Sequence, residues 1–456
     1  MKSRELIQDF TTGSVPRQLL RFAAPLFLSN LLQVVYNMVD MVVVGQFVGS
    51  AGLSAVSIGG DVLSFLTFIA MGFASAGQVI ISQYIGAERR ERVGRLVGTM
   101  TTFLMACAVI LSVVCFIIRT PILQWMNTPP EAWDNAMSYA VTSMAGLIFI
   151  YGYNTVSAVL RGMGDSRHPF IFVAAAAVLN LVLDLVFVAG LGMEAFGAAL
   201  ATVIGQGLSF VAAAVFLYRR RQSLGFSIRA KDFLPDRTEL STLLKLGVPM
   251  AIKSAAVHFS KLFVNSYINS YGVAVSAVAG IGNKLSTVSN LISNSVNAAG
   301  SSMVGQNIGA EKYERVPKIL SVSFILCAAC SAVMAAVILI FPSAVFGIFS
   351  SDPAVLAVCM QYIPVAVLVF ASTAFRSPMN AFINGSGNYR LNFAVALLDG
   401  ILARIGIALL MGVTAGMGYL GFWYGDAIAG FVPFFIGGVY YLTGKWKTRK
   451  YILQSE

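Results

Sequence analysis

Twelve apolar runs, each long enough to cross a bilayer at about 20 residues per crossing, divide this 456-residue chain. Their centres lie near Gln33, Leu66, Met105, Leu147, Leu181 and Ser209 in the first half. In the second half they lie near Phe259, Leu291, Ile325, Val369, Ile405 and Gly430. The basic residues between the runs fall on every second connection: Arg89–Arg95, Arg161 and Arg167, Arg219–Lys245, Lys312–Lys318 and Arg390. Both tails are basic as well, with Lys2, Arg4, Arg17 and Arg21 at one end and Lys445, Lys447, Arg449 and Lys450 at the other. The alternate connections hold little beyond Arg119. By the positive-inside rule, this pattern predicts cytoplasmic termini and an even number of crossings. A soluble core is excluded, because 57% of residues are hydrophobic and only 11% charged, against about 25% charged in soluble domains.

The two halves repeat each other. LLRFAAP (19–25) returns as LLKLGVP (243–249), QYIGAERRERV (83–93) as QNIGAEKYERV (306–316), and RGMGDSR (161–167) as NGSGNYR (384–390). LSAVSIGGDVLS (53–64) returns as VSAVAGIGNKLS (275–286), and FGAALAT (196–202) more weakly as LGFWYGD (420–426), with all offsets between 222 and 224. An even number of crossings per half inserts both halves the same way up. The expected fold is therefore an all-α polytopic membrane protein. Its twelve transmembrane helices form two six-helix bundles related by a pseudo-twofold along the membrane normal. The bundles are expected at 1–218 and 246–456, joined by a cytoplasmic linker at 219–245.

Within the first span, Gln33, Tyr36, Asn37 and Asp40 share one helical face. A carboxylate at that depth costs about 2.5–3.5 kcal/mol on insertion scales, so it tends to face water or a partner. Span 5 carries Asn180 and Asp184 on one face. Span 6 carries Thr202, Gln206 and Ser209, and span 4 carries Asn154 and Ser157. Asp40, Asp184 and Thr202 each lie about six residues from the outer end of their run, roughly 9 Å at helical rise. Two such acids with neutral oxygens make a proton site or a hard-cation site for Na⁺. The competing reading is a structural hydrogen-bond node, with Thr202 bonding back to its own helix.

The second half is chemically different. Span 7 carries Lys253, His258, Lys261 and Asn265, and span 8 carries Asn290, Asn294 and Asn297. Arg376 lies in span 10, Asp399 and Arg404 in span 11, and Asp426 in span 12. The repeat puts Arg404 where Asn180 lies and Asp426 where Thr202 lies, which predicts an Arg404–Asp426 ion pair. Asp399, Lys253 and Arg376 count to a second cluster nearer the inner face. These groups act either as structural and gating pairs or as cavity-facing cations that meet anionic parts of a substrate. His258 reads as an interior histidine or a proton shuttle. All five cysteines lie in apolar runs and read as small buried hydrophobes. Cys327 and Cys330 have CxxC spacing but no second pair beside them.

With these residues on view, the chain resembles the multidrug and toxic compound extrusion (MATE) family. The likeness rests on the two like-oriented halves, NMVDMVVVG in span 1, the paired IGAER/IGAEK loops, and the Asn180–Asp184 spacing. It implies efflux of organic, often cationic compounds driven by Na⁺ or H⁺, with no cofactor. In the DinF-like branch, a span 1 aspartate, an asparagine–aspartate pair in span 5 and a span 6 threonine form the cation site; these map to Asp40, Asn180, Asp184 and Thr202. NorM-type members carry further acids in spans 7 and 8. Here lysines and asparagines stand instead.

The expectation is thus an antiporter working by alternating access. Its substrate cavity is expected to draw on Gln33, Tyr36, Asn37, Asn154, Gln206, Lys253 and Lys261. The expected partners are small amphiphilic compounds and the lipid bilayer, not nucleic acid: the net charge of +11 is carried by cytoplasmic loops. The expected setting is a monomer in the prokaryotic inner membrane. Pro25 and Pro249 sit at matching positions and read either as bends in spans 1 and 7 or as helix starts. A flippase for a lipid-linked oligosaccharide or peptidoglycan precursor is the alternative, since Arg404, Arg376 and Lys253 would suit a pyrophosphate. The lack of a GxxxxGK[ST] motif, and of a soluble domain to carry one, argues against an ATP-driven pump. A prenyl-transferring enzyme is excluded by the lack of a paired acidic motif near a cytoplasmic mouth.

Overall fold

The computed structural model describes residues 7–221, 229–449 and 451–453. Lys2, Arg4 and Lys450, which contribute to the charge pattern, lie outside the described residues. The first half runs through α1 (Val15–Phe47), α2 (Ser50–Gly86), α3 (Arg90–Ile117), the bent pair α4 (Pro130–Ala145 and Leu147–Gly162), α5 (Arg167–Gly190) and α6 (Glu194–Arg220). The second runs through α7 (Arg237–Asn269), α8 (Val273–Gly309), α9 (Tyr313–Ile340), α10 (Pro353–Gly385), α11 (Tyr389–Thr414) and α12 (Gly418–Leu442). Ten of these pass as membrane spans on length and composition alone, and the bent α4 pair makes an eleventh. The remaining helix, α8, is 37 residues long and rich in Ser, Asn and Gly. Many of those small polar residues face protein rather than lipid: Ser289, Ser293, Ser295, Ser301 and Ser302 are all buried.

The expected centre of span 4, Leu147, falls at a break. The two pieces of α4 meet at 46° around Gly146. A side chain at Gly146 would come within 2.4 Å of Val203 on α6, so the break sits where the two helices pass close to each other. It also turns Tyr139, only 6% exposed, into the apolar cluster of Val43, Val44, Ala198 and Ala199.

The chain divides into two compact units, but not where the polar linker suggested. One unit comprises the described residues up to Asp9 and Ala24–Gly247; the other comprises Phe10–Ala23 and the described chain from Val248. The described part of the 219–245 stretch therefore packs as part of the first unit. Phe233 accepts a hydrogen bond from Thr102 at 2.7 Å, and the Asp236 amide donates to Thr99 at 3.0 Å. Glu239, 1% exposed, accepts from Tyr84 at 2.8 Å and from Arg92 at 2.9 Å. In the second unit the irregular stretch before α1 is held in the same manner. The Phe10 amide donates to Gln306 at 3.0 Å, and Asn307 and Arg315 each donate to the Phe10 carbonyl at 3.1 Å. These bonds satisfy backbone groups that no helix satisfies. Which unit a segment joins is set by such long-range partners.

Both prolines lie inside helices. Pro25 comes ten residues after α1 begins at Val15, and Pro249 twelve after α7 begins at Arg237. The helix-start reading is therefore excluded. Each proline lies within two residues of the point where its helix passes from one unit to the other. Proline withholds one i→i−4 hydrogen bond, so each crossing point is a mechanically weaker turn.

Candidate functional site

In the first unit, α1, α5 and α6 bring Asp40, Asn180, Asp184 and Thr202 together. Asp40 is 6% exposed, Asn180 4% and Asp184 0%. The Thr202 hydroxyl donates to Asp40 Oδ2 at 3.4 Å. Orienting the Asn180 amide nitrogen toward Asp40 satisfies three groups at once. Nδ2 then donates to Asp40 Oδ1 at 2.9 Å, and Oδ1 accepts from the Thr202 amide at 3.3 Å. The Asp40 carboxylate is thus bridged on both oxygens by neutral donors.

Asp184 is treated differently. It interacts with Asp40, yet both of its own oxygens are buried without a hydrogen-bond partner among the described residues. It is the last residue of the regular helix before the wide π-type turn Leu185–Gly190. Such turns interrupt the regular spacing of side chains and recur at functional sites. Tyr139 from the bend of α4 also comes into electrostatic range of both acids. Sequence reasoning missed it, because the apolar run gave no sign that α4 bends there.

Gln33, Tyr36 and Gln206 line a pocket with Asn180, Thr202 and Ser209. Two other expected cavity residues do not line this pocket. Asn37 is exposed and outside this lining. Asn154 donates to the Ile150 carbonyl of its own helix at 2.8 Å, the local bond that polar side chains prefer when no better partner is near.

In the second unit Arg404 is 1% exposed and holds two acids. It donates to Asp426 through Nη1 and to Asp399 through Nη2, the latter at 2.9 Å. The close approach of α11 and α12 makes this possible, since a side chain at Gly425 would fall 2.4 Å from the Ala408 Cα. A guanidinium suits the task because its fork offers separate donors to separate carboxylates.

The expected inner cluster of Asp399, Lys253 and Arg376 is present within electrostatic range, but no ion pair joins its members among the described residues. Asp399 goes to Arg404, while Arg376 donates to Asn290 at 3.0 Å and Lys253 to Asn380 at 2.5 Å. Asp399 lies in the π-type turn Leu398–Leu402, which displaces it from the register that a uniform helix would give. Lys261 lines a pocket of its own unit with Asn265, Asn283, Tyr362, Trp423 and Asp426. Hence Lys261 and the Gln33–Tyr36–Gln206 group line two separate pockets, one within each unit. Among the described residues no group of three His, Cys, Asp or Glu side chains is arranged to hold a metal ion, Cys327 and Cys330 included.

The MatE family profile matches this chain twice, over residues 25–186 and 249–410. The chain belongs to the MatE family. Both matched stretches begin at one of the crossing-point prolines, Pro25 and Pro249. As a MatE protein it is a secondary transporter of small organic compounds in the prokaryotic plasma membrane, not an enzyme. A probable multidrug resistance protein of Bacillus subtilis, YpnP, is 28% identical over 443 residues, covering 97% of this chain and 98% of its own. A probable multidrug resistance protein NorM of Thermotoga maritima is 24% identical over 439 residues, covering 95% and 94%. A MATE crystal structure in a straight conformation superposes with a TM-score of 0.89 at 21% identity, covering 98% of this chain and all of that one. This MatE chain therefore shares the twelve-helix, two-bundle fold.

Proposed function

We propose that this MatE protein is a multidrug antiporter, acting as a monomer with cytoplasmic termini. It exports small amphiphilic compounds in exchange for Na⁺ or H⁺, with Asp40, Asn180, Asp184 and Thr202 as the coupling site, in the manner of the DinF-like branch. One observation carries the reading. Asp184 is wholly buried beside Asp40 with both oxygens unpartnered, and a carboxylate so placed is stable only with a proton or a cation. The donor set of two carboxylates, an amide and a hydroxyl is all oxygen, which suits a hard cation as well as a proton.

The physical sequence is short. With both acids ionised, their repulsion in a poorly solvated site disfavours close packing of α1 against α5. Loading one small cation removes that repulsion. The loaded and unloaded states then prefer different arrangements of α1, and differential preference is the whole requirement for coupling. Pro25 supplies the weak turn at which α1 responds. Alternating exposure of the pocket lined by Gln33, Tyr36 and Gln206 would carry the substrate across.

Transport into vesicles with separately imposed sodium and pH gradients tests this. The expected result is substrate movement against its own gradient under one of the two. Movement only down the substrate gradient, whichever ion gradient is imposed, would make the protein a passive pathway.

A further inference from the structure

Inside the membrane-spanning part of the second unit, four cations gather around two carboxylates. Arg404 holds both Asp399 and Asp426. Lys261 and Arg376 lie within electrostatic range of the same two acids, and Lys253 within range of Asp399. Arg376 and Lys253 are answered by the amide oxygens of Asn290 and Asn380, which carry no charge. Two positive charges in this cluster are therefore left without a carboxylate among the described residues. A net charge within a membrane span is expensive unless water or a counter-ion reaches it.

The cluster has an opening. Lys261 is half-buried and lines a pocket together with Asn265, Asn283, Ser286, Tyr362 and Trp423. The two aromatic rings meet edge to face at 4.9 Å and present a rigid apolar wall. Asp426 also lines the pocket and is shared between Arg404 and Lys261, while Arg404 is shared with Asp399; the pocket therefore opens onto a cluster that keeps two positive charges in excess of its acids. The pocket of the first unit offers no comparable group, since every side chain in its lining is uncharged.

We propose that the second-unit pocket binds the anionic group of an aromatic amphiphile, a carboxylate, sulfonate or phosphate. Lys261 supplies the charge, Asn265 and Asn283 supply neutral donors, and the apolar body lies against Trp423 and Tyr362. The inference deepens the transport reading, on which it rests for the claim that the ligand is cargo. The substrates of this protein then include organic anions or zwitterions, and not lipophilic cations alone.

Equilibrium binding in the full-length protein provides the test. The probe is 1-anilinonaphthalene-8-sulfonate, titrated into phosphatidylcholine nanodiscs, with empty discs subtracted and ethidium as the cationic counterpart. Saturable sulfonate binding is expected. It should weaken at least tenfold in Lys261→Gln and survive in Lys261→Arg and in the exposed tail variant Lys445→Gln. Discs containing phosphatidylglycerol identify the source of the anion. Competition by the lipid makes a headgroup an occupant of the site, and no competition points to a free organic anion. Either outcome keeps an anion site. Wild-type sulfonate affinity in both Lys261→Gln and Lys261→Glu would overturn the proposal, as would a Lys261→Gln defect confined to ethidium. Intact sulfonate binding by a wild-type protein that shows no ion-driven transport would fault the coupling reading and spare this one.

Discussion

Asp184 is fully buried against Asp40, and while Asp40 has donors on both of its oxygens, Asp184 has none. The two acids differ in environment although they share a site. Asp40 is a carboxylate already supported as an anion; Asp184 is supported only when something positive, a proton or a metal cation, reaches it. In the proposed mechanism this asymmetry makes Asp184 the group whose loading state changes, and Asp40 the group that holds the position.

Replacing Asp184 by Asn removes the ionisable oxygen while keeping volume. Ion-driven efflux is expected to fall below about one-tenth of wild type, with thermal stability unchanged or raised because the unpartnered buried acid is gone. Proteoliposome transport together with a melting curve checks both halves. Asp40→Asn should also abolish coupling. Normal gradient-driven transport in both single variants would remove the acids from the mechanism.

Thr202 gives the site a hydroxyl rather than a charge. Thr202→Val should raise the ion concentration needed for half-maximal transport by about tenfold, equivalent to about 1.4 kcal/mol, and leave the maximal rate nearly intact. Thr202→Ser should behave like the wild type. A Val variant with unaltered ion dependence would show that the hydroxyl is only a bridge to Asp40.

The Arg404–Asp426 pair should be energetically coupled. Arg404→Ala leaves Asp399, 1% exposed, as an unpaired buried acid, and a loss of about 3–5 kcal/mol is expected. Asp426 is 25% exposed, so Asp426→Ala alone should cost less. In the double variant the two losses should fall short of their sum by about 0.5–3 kcal/mol. Strict additivity in thermal unfolding would reject the pair.

At the other end of the first unit, Glu239 is the buried acceptor for Tyr84 and Arg92. Glu239→Ala should lower the melting temperature by several degrees, from a loss of about 2–3 kcal/mol, because it strands both donors. Substrate and ion affinities should not move, since Glu239 touches neither pocket lining. A melting temperature equal to wild type would mean that water replaces the carboxylate without loss.

Pro25 and Pro249 interrupt α1 and α7 near the points where each helix changes unit. Pro25→Ala restores a backbone hydrogen bond, so the helix should stiffen and turnover should fall several-fold while stability rises. Equilibrium ion binding should be unaffected. A variant with wild-type turnover would show that α1 does not flex at this residue.

Most of the architecture was legible in the chain itself, because a bilayer enforces it. Span length, the alternation of basic loops and the internal repeat each follow from the energetics of crossing lipid, and those are local or periodic in sequence. The grouping of Asp40, Asn180, Asp184 and Thr202 could also be read, since their matching depth follows from counting and the family resemblance joined span 1 to spans 5 and 6. The repeat likewise matched Arg404 with Asp426. What counting could not give were the departures from uniform helices: the bend at Gly146 that brings in Tyr139, and the π-type turn that takes Asp399 to Arg404 and leaves Arg376 and Lys253 to amides. Nor could it place Phe10–Ala23 with the second unit. Such features are decided by which atoms meet after packing. Apolar patterning tells a segment to enter the membrane, but only tertiary contact tells it which neighbour to satisfy.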